Sequence, residues 1–351
     1  MRDVAVVGFA QSPQVRRTQG TTNGVEMLIP IFAEVYEKLG ITKSDIGFWC
    51  SGSSDYLAGR AFSFISAIDA IGPVPPINES HVEADGAWAL YEAWCKIQTG
   101  DVDTALIYGF GKSSAGTLPR TMALQLDPYT VAPLLPDSVA IAGLQARIGI
   151  DTGTWSEAEM AEVAVRSRRD AESNPYAQVT GSKDAADLLG EPYLADPLRR
   201  HDCAPITDGA AVIVLAAGDR ARELTERPAW ITGIEHRVDS ANLGARDLTT
   251  SPSTVAAARA AGIDGVEVAE LYTPFTHQEL LLRRELGLGD DVRITPSGGA
   301  LAGNPMFAAG LVRIGEAASH IAAGTAGKTL AHVTSGPALQ QNLVCVLEGR
   351  S

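Results

Sequence analysis

The sequence predicts an α/β fold made of two successive βα series with a long irregular segment set between them. Three observations carry this. Short apolar runs rich in β-formers alternate with stretches of helical periodicity from the first residues onward. The alternation breaks off from about residue 115 to 201, where Pro119, Pro128, Pro133, Pro136, Pro175, Pro192 and Pro197 fall among short helical patches. It then resumes at Asp208, and from Pro228 a second series repeats the first.

Residues 4–9 read as a buried strand, followed by a helix over 24–39 and a strand over 46–52. A helix over 86–98 feeds the apolar run 104–109, which is rich enough in β-formers to be a buried strand. Inside the irregular segment, Ser156 and Glu159 have capping-box spacing: the hydroxyl satisfies a first-turn amide and the carboxylate bonds back. That predicts a helix from there to about Asp170. Strand 208–216 and a short helix 218–223 close the first series. The second runs through strand 228–234, helix 251–261, strand 266–272, helix 276–286, a glycine-rich stretch 297–303, helix 305–323, and strands 329–333 and 344–348. The chain therefore divides into an N-terminal half, 1–225, carrying the inserted region at about 115–201, and a C-terminal half, 226–351.

Composition removes several function classes. A net charge of -14 without a basic tract excludes a phosphate-backbone binder, because nucleic-acid affinity comes mainly from clustered Lys and Arg. Four cysteines, Cys50, Cys95, Cys203 and Cys345, lack CxxC spacing, so neither a disulfide framework nor a zinc site is expected, and no metal is assigned. A reducing cytosol fits this usage, and the apolar run at the start is too short for a signal-peptide core or a membrane span. A cytoplasmic protein is expected. Gly111-Lys112-Ser113 has the look of the end of a phosphate loop, but Leu106 stands where that loop needs glycine, so nucleoside triphosphate binding is rejected.

Four segments carry a family resemblance: Arg200-His201-Asp202-Cys203 leading to Asp208-Gly209-Ala210-Ala211, Asn174-Pro175-Tyr176-Ala177, the run from Glu270 to Thr276, and the run from Pro296 to Pro305. In this order and spacing the chain resembles the thiolase superfamily, on the branch of sterol carrier protein-x and the actinobacterial lipid-transfer proteins. The resemblance implies a five-layered α-β-α-β-α arrangement, a tight dimer and a pocket for an acyl-CoA thioester, with no tightly bound cofactor. Ordinary thiolases use a cysteine at a strand-to-helix turn, where the helix N-terminus lowers the thiol pKa and backbone amides hold the oxyanion. Here the segment Val82-Glu83-Ala84-Asp85-Gly86 has no thiol. Matching Gly86 to the glycine of that turn puts Glu83 at the nucleophile position, and a shifted register puts Asp85 there. Either carboxylate can cap the helix or serve as a general base. His81, two residues before Glu83, could pair with it.

The resemblance marks further departures. Gly303-Asn304-Pro305 occupies the place of Gly-His-Pro, and Asn304 keeps a donor but cannot shuttle a proton. Tyr272 stands at the start of the family's pocket-floor element, where the cysteine-less aldolases that shorten steroid side chains imply a tyrosine acid/base. Ser335-Gly336 replaces the second cysteine turn. His277 and Gly299, with Asp85, Ser335 and Gly336, complete the expected substrate contacts. The chemistry implied is retro-aldol cleavage of a 3-hydroxyacyl-CoA with a steroid or lipid side chain: Tyr272, or Glu83 through water, takes the hydroxyl proton, and backbone amides with Asn304 stabilise the enolate. A thiolase or acetyl-CoA acyltransferase with an unrecognised nucleophile, and a non-catalytic subunit or lipid-CoA scaffold, are the alternatives. The expected partners are a second copy or a thiolase-like paralogue, and a small OB-fold, zinc-ribbon protein. Cys203 is expected to be a structural thiol.

Overall fold

The computed structural model of the chain describes residues 1–19, 22–55, 62–72 and 78–350. Its first half runs β1 (Val4–Gln11), α1 (Gly24–Leu39), β2 (Phe48–Gly52), α2 (Ile65–Ile71), β3 (Glu79–Val82), α3 (Gly86–Gln98) and β4 (Thr104–Lys112). The insertion follows with α4 (Leu118–Leu124), α5 (Ser138–Asp151), α6 (Glu157–Asp170), α7 (Ala185–Leu189) and the small pair β5 (Tyr193–Ala195) and β6 (Leu198–Arg199). Then come β7 (Ile206–Ala217), α8 (Gly218–Leu224), β8 (Ala229–Val238), α9 (Pro252–Ala261), β9 (Val268–Leu271), α10 (Thr276–Glu285), β10 (Arg293–Ile294), α11 (Gly299–Ala302), β11 (Asn304–Pro305), α12 (Ala309–Ala322), β12 (Lys328–Ser335) and β13 (Gln341–Gly349).

Local chemistry sets these boundaries. Asn23 and Glu26 form a capping box on α1, which stops at Gly40 in the left-handed conformation. Ser156 and Glu159 do the same for α6, as their spacing predicts. One expected boundary moves: the helix read over 305–323 begins at Ala309, because Asn304 and Pro305 pair in parallel with Ile206 and Thr207 and Phe307 takes a positive φ of 68°.

The two halves repeat one topology. In the first, the sheet order is β1-β7-β4-β2-β3; in the second it is β8-β13-β12-β9-β10. The two central strands pair antiparallel and the outer crossovers are parallel in both. β1 and β8 meet over Ala5↔Trp230 and Val6↔Ala229, which joins the sheets along one edge.

Strand alternation then builds the layers. Val4 and Val6 of β1, and Leu343, Cys345 and Leu347 of β13, face a shared core with Leu90 and Ala93 of α3 and Leu311 and Ile314 of α12. Ala5 and Val7 face the other way, toward Leu28 and Phe32 of α1 and Ile71 of α2. Val344 and Val346 face Ala257 of α9 and Leu281 of α10. Helices, sheet, α3 with α12, sheet, helices: this is the five-layered arrangement. The insertion packs on the second half, with Ala142 and Ala146 of α5 and Met160 of α6 in one cluster with Leu281 and Leu282. Among the described residues no helix is long and apolar enough to cross a membrane.

Candidate active site

A cavity of about 610 Å³ opens where the two sheets, the central helices and the insertion meet. Asp85, Tyr272 and Asn304 all line it, and each is placed by a different element.

Asp85 is the N-cap of α3, and its Oδ1 accepts from the Ala87 N–H at 2.9 Å. Its Oδ2 accepts from the Gly310 N–H at 3.1 Å, in the first turn of α12. One carboxylate thus receives the positive ends of both central helices. Burial pushes its pKa up to about 6, against the pull of those two N–H bonds.

Tyr272 follows directly on β9, its backbone N–H donating to His332 O at 2.9 Å. Its hydroxyl donates to Asn304 Oδ1 at 2.7 Å. Burial first, and then the nearby Asp85 charge, push the phenol above its ordinary pKa; the Asn304 bond and Arg313 pull the other way. At neutral pH the phenol keeps its proton.

Asn304 is held in register by its strand pairing and by its own N–H, which donates to Thr207 Oγ1 at 2.8 Å. The following residues lie directly on β4. A Cβ at Gly109 would come 2.3 Å from Phe307 O, and one at Gly111 would come 2.3 Å from Met306 O, so only glycine admits this approach. Phe307 O also accepts the Gly86 N–H at 2.9 Å, tying this loop to the start of α3. Behind it, Glu270 accepts from the Ser297 N–H and hydroxyl and pairs with Arg313 at 2.6 Å, all buried. Asn174 Nδ2 donates to Ser297 O at 2.9 Å, and Thr276 Oγ1 donates to Asp202 Oδ1 at 2.6 Å. These bonds give physical roles to two of the sequence motifs: they pin the glycine loop and the start of α10.

The remaining expected residues divide. Ser335 and Gly336 line the cavity. Glu83 lines it too, but its side chain is 51% exposed while Asp85 as a residue is 6% exposed. Glu83 accepts from the Asp55 N–H at 2.8 Å and meets His81 Nε2 at 3.4 Å, so the expected pairing with His81 is present. Asp55, His81 and Glu83 bring donor atoms within 4.8 Å of one another, yet the Asp55 carboxylate already accepts from the Phe62 and Ser63 N–H groups. His277 and Gly299 are buried away from the cavity wall. His277 turns from the cavity because its Nε2 bonds Gln145 Oε1 at 3.1 Å beside the rings of Trp155 and Phe275, and Gly299 packs against Thr295. Gln278 and the apolar residues of α4 and α5 line the cavity instead. Their positions depend on how the insertion docks, and no local pattern announces that.

Burial disfavours the thiolate at each of the four cysteines. Cys203 lines the cavity, but burial pushes its pKa up to about 12; Cys345 is pushed to the same value, and Cys50 and Cys95 are raised as well.

No family model matches the chain. An acetyl-CoA acetyltransferase of Methanothermobacter thermautotrophicus is 26% identical over 359 aligned positions, spanning 93% of each chain. A solved structure named as an Ltp2-ChsH2(DUF35) aldolase superposes with a TM-score of 0.81 at 17% identity, covering 99% of this chain and 98% of that one. The chain is thiolase-like. Human sterol carrier protein 2 is 27% identical over 69% of this chain and 52% of its own length. A 17-hydroxy-3-oxo-4-pregnene-20-carboxyl-CoA lyase of Mycobacterium tuberculosis is 40% identical over 70 residues, 20% of this chain and 18% of its own length. In this thiolase-like chain the N-terminus of α3 holds the carboxylate of Asp85.

Proposed function

We propose that the chain cleaves a 3-hydroxyacyl-CoA with a lipid or steroid side chain by a retro-aldol reaction. The carrying observation is the buried set Asp85, Tyr272 and Asn304 on one cavity, whose lining thiol, Cys203, is disfavoured as a thiolate by burial. A carboxylate cannot readily replace cysteine in acyl transfer, since the acyl-enzyme would be a labile anhydride. Retro-aldol cleavage needs no acyl-enzyme.

The base in this scheme is Asp85, rather than the exposed Glu83. Ionised above about pH 6, it takes the proton of the substrate's 3-hydroxyl. The bond between carbons 2 and 3 breaks; carbon 3 leaves as a ketone or aldehyde, and the electron pair passes into the thioester as an enolate. The Asn304 carbonyl oxygen is taken up by Tyr272, so its Nδ2 remains to donate to the enolate oxygen. Tyr272 delivers its proton to carbon 2, and protonated Asp85 returns one to the phenolate. The cycle restores every group and releases a shortened acyl-CoA.

The names of the relatives support an acyl-CoA substrate; an acetyltransferase stands among them beside an aldolase and a lyase, and the choice of cleavage rests on the residues of the cavity. The proposal includes a homodimer or a dimer with a thiolase-like paralogue, and an OB-fold, zinc-ribbon partner protein; the solved relative's name carries a second component. The thioester arrives as substrate, without a tightly bound cofactor.

The test is incubation of the pure chain, with and without such a partner, with branched 3-hydroxyacyl-CoA thioesters, followed by mass spectrometry of the products and of the intact protein. Carbonyl product and shortened acyl-CoA, with no protein adduct, are expected. An acyl adduct on a cysteine, or no cleavage under either condition, overturns the proposal.

A further inference from the structure

Gln278 is one of the polar residues that line the cavity, whose wall Met122, Val139, Ile141 and Phe275 also form. It is 4% exposed. Its Nε2 donates to Gln145 Oε1 at 3.2 Å, and its Oε1 has no partner among the described residues. An enclosed acceptor left without a donor costs about 1–3 kcal/mol, so such a group calls for an explanation.

The hydrogen-bond chain behind it fixes which atom is left over. Gln145 is fully buried on α5, and its Nε2 lies 3.0 Å from the carbonyl oxygen of Leu248, which can only accept. Gln145 must therefore present its oxygen to α10. His277 Nε2 lies 3.1 Å from that oxygen and must carry a proton; burial pulls the ring's pKa down to about 3, so it is neutral. Gln278 must give the same oxygen its NH₂, and the amide cannot flip without setting oxygen against oxygen. The group left over is an acceptor. Residues from the first half (Gln145) and the second (His277, Gln278) thus lock one polarity into the wall.

We infer that Gln278 Oε1 accepts a hydrogen bond from a hydroxyl on the acyl group, other than the hydroxyl that reacts, so that the preferred substrate is a hydroxylated hydrocarbon thioester. This rests on the cavity being the acyl chamber proposed above. Oε1 is enclosed while the cavity is empty, so binding takes a turn about the terminal torsion of the side chain, which is broad in glutamine, and this stretches the Nε2 bond to Gln145 as the oxygen meets the ligand. A ketone at the same place is rejected, because two acceptors then face each other. A methylene leaves the acceptor as it stands.

The experiment is a binding series, free of turnover. Fatty acyl-CoA thioesters unsubstituted at carbon 3 are compared in matched sets that carry a hydroxyl, an oxo group or a methylene at successive chain positions, together with the corresponding free acids. Dissociation constants are measured by calorimetry for the wild type and for Gln278→Met, whose folding is checked by circular dichroism. At one chain position the hydroxyl compound binds the wild type about tenfold more tightly than the oxo compound, and Gln278→Met removes the preference. Equal binding of hydroxyl and oxo compounds at every position, or a preference that survives in folded Gln278→Met, overturns the inference. Should that variant not fold, the wild-type ranking decides. Thioesters that bind without the ranking sink this inference and spare the acyl-CoA reading. A ranking seen only with free acids does the reverse.

Discussion

The two central helices occupy matching places in the two halves, yet they begin in different ways. α3 follows β3 through a tight turn and carries its own cap, Asp85. α12 follows β10 through a longer glycine-rich connection that carries α11 and β11, and its N-cap, Ala308, has no side chain able to cap it. It takes its cap from the other half, since the Gly310 N–H donates to Asp85. The tight turn delivers a carboxylate at a fixed point, while the longer connection has room to pair Asn304 with β7 and to lay Met306 and Phe307 on β4. Duplicated topology with unequal connections thus puts a carboxylate and an amide in the wall of one cavity. The asymmetry makes the site.

The largest test of this comparison removes the charge and keeps one of the two capping bonds. Asp85→Asn leaves one oxygen for a helix N–H, sets its NH₂ against the other and supplies no base, so kcat falls about a thousandfold and denaturant unfolding shows a loss of about 1–3 kcal/mol. In the wild type, kcat/KM falls as pH drops through about 6, where Asp85 takes up a proton, and a steady-state pH profile of the variant lacks that limb. Tyr272→Phe leaves the ring packed and costs about a hundredfold in kcat, read by the same product assay. Gly310→Ala strikes the borrowed cap: its Cβ would come 2.1 Å from Asp85 Oδ1 and 2.7 Å from Val333 Cγ1. A loss of about 1–3 kcal/mol in denaturant unfolding is expected. Glu83→Gln is the smallest, about threefold or less in kcat/KM, as befits an exposed carboxylate. A thousandfold loss there would move the base to the rim and reverse the assignment.

The sequence shows the architecture wherever local signals agree. α1, α3 and α6 have their caps written in Asn23, Asp85 and Ser156, and the apolar runs of β1, β4 and β7 are unmistakable. β3 is invisible by contrast: Glu79, Ser80, His81 and Val82 are all half-buried at a sheet edge, so they show no alternation. The pairing of Tyr272 with Asn304 joins two residues singled out by motif, whereas the choice between Glu83 and Asp85 turns on depth. Spacing from Gly86 favours Glu83. An Asp placed just before the first helical residue is an N-cap signal, and that points to Asp85. Gln145 and Gln278 carry no such signal, because their burial depends on α5 and α10 meeting across the two halves.

The insertion has a consequence for how such a protein can diversify. α4 and α5 wall the cavity, but they supply no strand to either large sheet and no group that moves a proton in the proposed cycle. Selection can therefore resize or repaint that wall, residue by residue, while the frame that handles protons stays fixed. New side-chain preferences are reachable there in small steps, each one viable, without ever passing through an inert intermediate.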